Sequence, residues 1–117
     1  MIRLRLPGGD LTADQWLKLQ ESCDRNASGT IKITTRQTIQ FHGIVKARMK
    51  PTMKDFDVLG LDSIAACGDV NRNVMAGAYP DLIPYHAEVF EFADKISEHL
   101  LPKTGAYKEV WLDGEKL

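Results

Sequence analysis

The sequence contains no apolar run long enough to cross a bilayer as a helix and no signal-peptide pattern at its start. Its two cysteines, Cys23 and Cys67, form neither a CxxC motif nor a disulfide framework. A reduced, cytoplasmic protein is the expectation. No two of His42, His86 and His99 are three or four residues apart, so the chain offers no metal-spaced histidine set. His86 and His99 are expected on helix surfaces. There is no GxGxxG fingerprint, Walker loop or nucleophile elbow. Fifteen basic residues against sixteen acidic ones leave no global field to recruit nucleic acid or a membrane. The most telling absence is local: no acid occurs between Gly29 and Lys54.

That acid-free stretch holds Lys32, Arg36, Lys46, Arg48, Lys50 and Lys54. Acids gather later, at Glu88, Glu91, Asp94, Glu98, Glu109, Asp113 and Glu115. The asymmetry points to a local anion site. Read at a period of two, Lys32, Thr34, Arg36, Thr38, Gln40 and His42 share one strand face, and Ile31, Ile33, Ile39 and Phe41 share the other. A polar, partly cationic face without acids suits a sheet laid against a large anionic ligand.

At 117 residues the chain is one domain, or one domain and part of another. Ile2 to Leu6 alternates apolar and basic residues, which predicts a half-buried strand stopped by Pro7-Gly8-Gly9. Thr12 and Gln15 form a capping box, with Leu11 and Trp16 at staple positions, for a helix to about Arg25. A strand or hairpin follows from Thr30 to about Val45. Pro51 and Thr52 predict the start of a second helix, with Asp55 in the capping-box position and an end near Gly60. Strand, helix, strand, strand, helix is the order of a ferredoxin-like α+β half-domain.

Beyond Gly60, Asp62 to Cys67 is short and apolar and reads as a strand or a helical turn. Pro84 at a first helical turn predicts a helix to about Leu101, buried along Tyr85, Val89, Phe92, Ala93, Ile96 and Leu100. Tyr107 to Leu112 reads as a strand feeding the turn Asp113-Gly114. Trp16 and Trp111 read as core or staple aromatics. Both ends of the chain look cut, which suggests a fragment of a longer protein.

Two constellations carry the chemistry. Arg3, Lys32, Arg36, Gln40 and His42 share a face if the first strand pairs with Gly29–Arg36, and Arg forks there would grip carboxylates of a planar macrocycle. The same residues also read as a solvated strand face whose cations protect an edge. The run Cys67-Gly68-Asp69-Val70-Asn71-Arg72-Asn73-Val74-Met75 suits a tight, hydrogen-bonded loop that aims Arg72 at an anion, or an ordinary Asx-rich turn. Gly8-Gly9 precedes a helix and would admit a phosphate, but reads better as a turn.

The segments Ile2 to Gly9, Thr34 to Gly43, Gly68 to Met75, Lys95 to Pro102 and Glu109 to Lys116 resemble, in this order, the sirohaem-containing sulfite reductases. The resemblance spans practically the whole chain and is closer to the haemoprotein subunit of the NADPH-dependent type. It implies six-electron reduction of sulfite to sulfide at a sirohaem bridged to a [4Fe-4S] cluster. It implies that Arg3 and Arg72 surround the substrate anion, and that Lys32, Arg36, Gln40 and His42 contact the sirohaem and its carboxylates. Lys32 stands where that family often has arginine, and Ala76 where it often has cysteine. The cluster cysteines and two lysines of the anion pocket would lie downstream of this chain.

The expected class is therefore α+β: a ferredoxin-like half-domain over residues 1–64, followed over 65–117 by the start of a sirohaem-binding α/β domain. The implied partners are sulfite, the carboxy-terminal half of the same enzyme, and a flavoprotein reductase subunit or ferredoxin as electron donor. Isolated, the chain would be catalytically silent. A sirohaem nitrite reductase of similar architecture, and a non-catalytic module docking a polyanion or protein, are the competing readings.

Overall fold

The alternating amino terminus forms only a short strand, β1 (Ile2–Arg3), in the computed structural model, which describes residues 1–64, 70–82, 84–107, 109 and 111–116. Arg5 continues the extended path through an isolated antiparallel bridge to Asp62. A 3₁₀ turn at Pro7–Gly9 then leads to α1 (Ala13–Asn26). The capping box forms as expected: Gln15 N–H donates to Thr12 Oγ1 at 3.1 Å, and Thr12 N–H donates to Gln15 Oε1 at 3.0 Å.

β2 (Ile31–Ile33) and β3 (Ile39–Phe41) form a hairpin, with Ile31 opposite Phe41, Lys32 opposite Gln40 and Ile33 opposite Ile39. Thr34 and Thr38 close the loop through Thr34 N–H to the Thr38 carbonyl at 2.8 Å. The three residues between them end in Gln37 at φ 56°, the left-handed residue that a three-residue hairpin loop requires. β1 pairs with β3, not with the β2 segment expected from sequence, so the strand order is β1-β3-β2 and all pairs are antiparallel.

The second helix, α2 (Lys46–Val58), starts five residues before the expected Pro51. Lys46, Ala47, Arg48, Met49 and Lys50 are good helix formers and carry the helix back past the proline. Thr52 Oγ1 donates to the Arg48 carbonyl at 2.7 Å beside the site of the missing proline N–H. Asp55 does not cap this helix. It accepts from Ser22 Oγ, Arg25 Nη2 and Asn26 Nδ2 and so ties α2 to α1. The carboxy-terminal end is a Schellman motif, with Leu61 N–H to Phe56 O, Gly60 N–H to Asp57 O, and Gly60 at φ 70°.

Both helices cover one sheet face. Leu4, Leu6, Leu19, Cys23, Ile39, Phe41 and Phe56 are buried together, and Phe41 meets Phe56 edge-on at 5.3 Å between ring centroids. The face bearing Arg3, Lys32 and Gln40 points away from this core.

α3 (His86–His99) begins just after Pro84 and docks differently from its expected stripe. Ala93 and Ser97 are its buried residues, while Tyr85, Phe92, Ile96 and Leu100 are exposed. Phe90 packs over Gly8, where an added Cβ would overlap the ring. Ser97 receives a hydrogen bond from Arg5 Nη1 at 2.9 Å. His86 is half-buried and edge-on to Phe90, with centroids 4.0 Å apart, contrary to its expected surface position. The hairpin of β4 (Trp111–Leu112) and β5 (Glu115–Lys116) turns at Asp113-Gly114, both at positive φ, and Lys46 pairs with Asp113. Trp16 and Trp111 are both exposed, so neither is a core residue. The expected element at Asp62 to Cys67 and the start of the Arg72 loop fall partly outside the described residues. Among the described residues, no helix is long and apolar enough to cross a membrane.

Candidate anion and cofactor site

Antiparallel register sets the site. Arg3 lies opposite Gln40, and Gln40 opposite Lys32, so one residue from each of the three strands forms a row across the solvent-side face. The odd number of loop residues in the hairpin preserves this parity, because even positions then pair with even positions. Gln40 links the row. With its amide oriented to satisfy both neighbours, its oxygen accepts from Arg3 Nη2 at 2.6 Å and Nε at 2.8 Å, and its nitrogen donates to His42 Nε2 at 3.0 Å. His42 then accepts at Nε2 and carries any ring proton of its neutral form on Nδ1.

Arg36 sits in the hairpin loop, off the flat row. Its Nη2 donates to the Asn73 carbonyl at 2.8 Å. That tether brings it to a cleft of about 100 Å3 lined by Arg3, Thr34, Thr35, Arg36, Thr38, Arg72 and Asn73. Arg3, Arg36 and Arg72, from a strand, a hairpin loop and a distant loop, thus converge on one small concavity. Lys32, Gln40 and His42 do not line it; Lys32 and Gln40 extend the polar surface alongside.

The arginines here differ in kind from Arg5. Arg5 is clamped by Asp62, from both Nε and Nη2, and by Glu98 at 2.8 Å, and these carboxylates raise its pKa further above the usual arginine range. Among the described residues, no carboxylate is in ion-pair reach of Arg3, Lys32, Arg36 or Arg72. Three guanidiniums around a concavity, uncompensated by acids among the described residues, favour a multiply charged oxyanion through charge-assisted, often bidentate hydrogen bonds.

Asn73 is the residue that sequence reasoning passed over. In the sequence it is only a neighbour of Arg72, yet it is 2% exposed and bonded to backbone 67 and 37 residues away. Periodicity carries no signal at that separation. Its place next to Arg72 in an Asx-rich run is the only hint in the sequence.

The acid-free row of cations and amides fits the carboxylate rim of a large anionic macrocycle. Iron ligation is a different matter: among the described residues, no group of three or more His, Cys, Asp or Glu could hold a metal ion. Cys23 is buried in the core, and Cys67 lies outside the described residues.

The chain matches known proteins over its whole length. The family described as the nitrite/sulfite reductase ferredoxin-like half domain matches residues 1–59. A relative from Leptospira biflexa serovar Patoc, named sulfite reductase (NADPH) hemoprotein beta-component, is 58% identical over 113 residues. The match covers 97% of this chain and 20% of that relative. Relatives of the same name from Staphylococcus saprophyticus and Staphylococcus carnosus are 55% and 56% identical over the whole chain, which covers 21% of each. The chain thus spans about a fifth of the length of these curated relatives. With the three-stranded antiparallel sheet, its two covering helices and the matched residues in accord, the chain belongs to the nitrite/sulfite reductase ferredoxin-like half-domain family.

Proposed function

We propose that this chain is part of a sulfite reductase haemoprotein subunit and supplies one wall of its substrate and sirohaem site. The observation that carries the reading is the convergence of Arg3, Arg36 and Arg72 on one cleft beside the Lys32–Gln40–Arg3 row. In this reading Arg3 and Arg72 hold sulfite. Their fixed N–H donors neutralise the anion and the charge that builds on its oxygens as each leaves as water. Lys32, Arg36, Gln40 and His42 hold the carboxylates of sirohaem. When bound, sirohaem with its [4Fe-4S] cluster supplies the redox centre for the six-electron reduction.

Residues 1–64 then form the half-domain, and 65–117 open the sirohaem-binding domain. The iron ligands come from sequence beyond this chain. The relatives' names carry NADPH and a beta-component; in this reading the parent protein takes electrons from a flavoprotein subunit fed by NADPH and works in the cytoplasm. The isolated chain should be colourless and should not oxidise a reduced dye when sulfite is added. Stoichiometric sirohaem with turnover would overturn that.

The deciding experiment replaces Arg72 by Ala in the parent protein. Loss of one charge-stabilising donor should lower sulfide production about a hundredfold. Cofactor content and the folded far-ultraviolet spectrum should persist. Unchanged sulfide output at full cofactor content would remove Arg72 from the anion site.

A further inference from the structure

We infer that Asn73 is a positioning residue that fixes the cleft arginines before any anion arrives; the inference rests on the anion-site reading above. Asn73 Oδ1 accepts from Leu6 N–H at 2.7 Å, and its Nδ2 donates to the Leu6 carbonyl at 2.7 Å and the Arg36 carbonyl at 2.9 Å. Leu6 lies beyond the end of β1, so Asn73 serves both of its backbone groups as a neighbouring strand would. Arg36 returns the contact by donating from its guanidinium to the Asn73 carbonyl. Asn73 therefore locks the hairpin loop, the end of β1 and the Arg72 loop into one unit.

Two more anchors hold the same loop. Gly8 N–H donates to the Val74 carbonyl at 2.8 Å. Gln37 grips Ala76 from both sides, donating to its carbonyl at 2.7 Å and accepting from its N–H at 2.9 Å. Arg72, one residue before this held segment, is exposed, so its side chain projects from backbone that is fixed behind it. The arrangement has a physical purpose. Arg3, Arg36 and Arg72 repel one another, with no compensating acid among the described residues, and an untethered loop would swing Arg72 away. Tethering it in advance lowers the ordering cost of anion binding.

Asparagine meets the chemistry at this position with both its amide oxygen and its amide nitrogen. Aspartate offers no donor for the two carbonyls and brings a negative charge to the cleft, while alanine supplies nothing: the Arg36 carbonyl would lose its amide donor, buried Leu6 N–H its acceptor, and the Leu6 carbonyl would keep only Gly9 N–H.

The test uses this chain with inorganic sulfate as probe, measured by calorimetry at low salt, beside backbone 15N relaxation. Asn73→Ala should weaken sulfate binding about tenfold, which corresponds to about 1.4 kcal/mol. It should also release residues 70–76 into fast motion while the amides of Leu19 and Phe41 remain rigid. Folded Asn73→Ala with unchanged loop order and unchanged affinity would overturn the inference. If Asn73→Ala does not fold, Gln37→Ala cuts a separate anchor of the same loop and should loosen residues 74–76 and weaken sulfate severalfold. No change there would overturn the inference equally. Loop release in Asn73→Ala beside a wild type that binds no sulfate would reject the anion reading and keep the ordering role.

Discussion

Arg3 and Gln40 stand opposite each other on neighbouring strands, and the Gln40 amide oxygen accepts from both Nε and Nη2 of Arg3. A neutral amide thus orients a guanidinium without cancelling its charge. Gln40→Glu would keep the fork and add a carboxylate. The new ion pair should leave the unfolding midpoint unchanged or slightly raised, since such pairs contribute at most about 1 kcal/mol. The positive potential at the cleft should fall, and sulfate should bind about tenfold more weakly at low ionic strength, an effect that salt diminishes. Calorimetric titration of both proteins decides it. Equal affinities would show that the charge of Arg3 does not serve the anion.

Gly8 is the contact on which α3 docks. Its φ of 66° already disfavours any side chain, and a Cβ there would overlap the Phe90 ring. The backbone strain alone is worth about 1–2 kcal/mol. Gly8→Ala should therefore cost about 2 kcal/mol or more in urea unfolding. In a Phe90→Ala background the same substitution should cost distinctly less, because the overlapping ring is gone. Equal costs in both backgrounds would mean that Phe90 does not rest on Gly8.

The parts of the fold and site that could be read from sequence are those set by neighbours in the chain. Thr12 and Gln15 are three residues apart and their box formed; Lys32 and Gln40 share a face because strand parity survived the hairpin loop. Wrong readings arose where tertiary contacts decided. Pro51 looked like a helix start because a proline favours that position, but the formers before it and the packing of Phe56 placed it inside α2. The apolar stripe of α3 looked like its buried face, yet Ser97 and Phe90 dock the helix through Arg5 and Gly8. Arg5 and Arg3 are indistinguishable by alternation, and only the Asp62 and Glu98 carboxylates that neutralise Arg5 tell the two apart.

Cys23 should behave as a core hydrophobe. It is fully buried between α1 and the sheet, and burial pushes its thiol above the usual range. In the unfolded chain the thiol ionises at its ordinary value. The stability gained by keeping it neutral is complete below that pH and is lost as pH rises from there through the folded-state value. Urea midpoints from neutral to alkaline pH should fall more steeply for the wild type than for Cys23→Ala. A thiol reagent should label Cys23 only at the rate of unfolding. Rapid labelling of the native chain would place the thiol at the surface.

The outward stripe of α3 is an apolar row left open to solvent. Tyr85, Phe92, Ile96 and Leu100 are each exposed by 45% or more, on a helix whose other side is already docked. An apolar row of this kind is uncommon on a monomeric surface and promotes association. Lys95 lies over the Phe92 ring at 5.9 Å and pairs with Glu91, which shields little of the row. Phe92→Glu should therefore reduce binding of a hydrophobic dye and shift sedimentation toward the monomer. The helical signal should stay the same, because Phe92 makes no part of the buried side formed by Phe90, Ala93 and Ser97. A parallel loss of helix and dye binding would mean instead that Phe92 supports the fold. Unchanged sedimentation with lower dye binding would assign the row to dye capture alone and leave self-association to another surface.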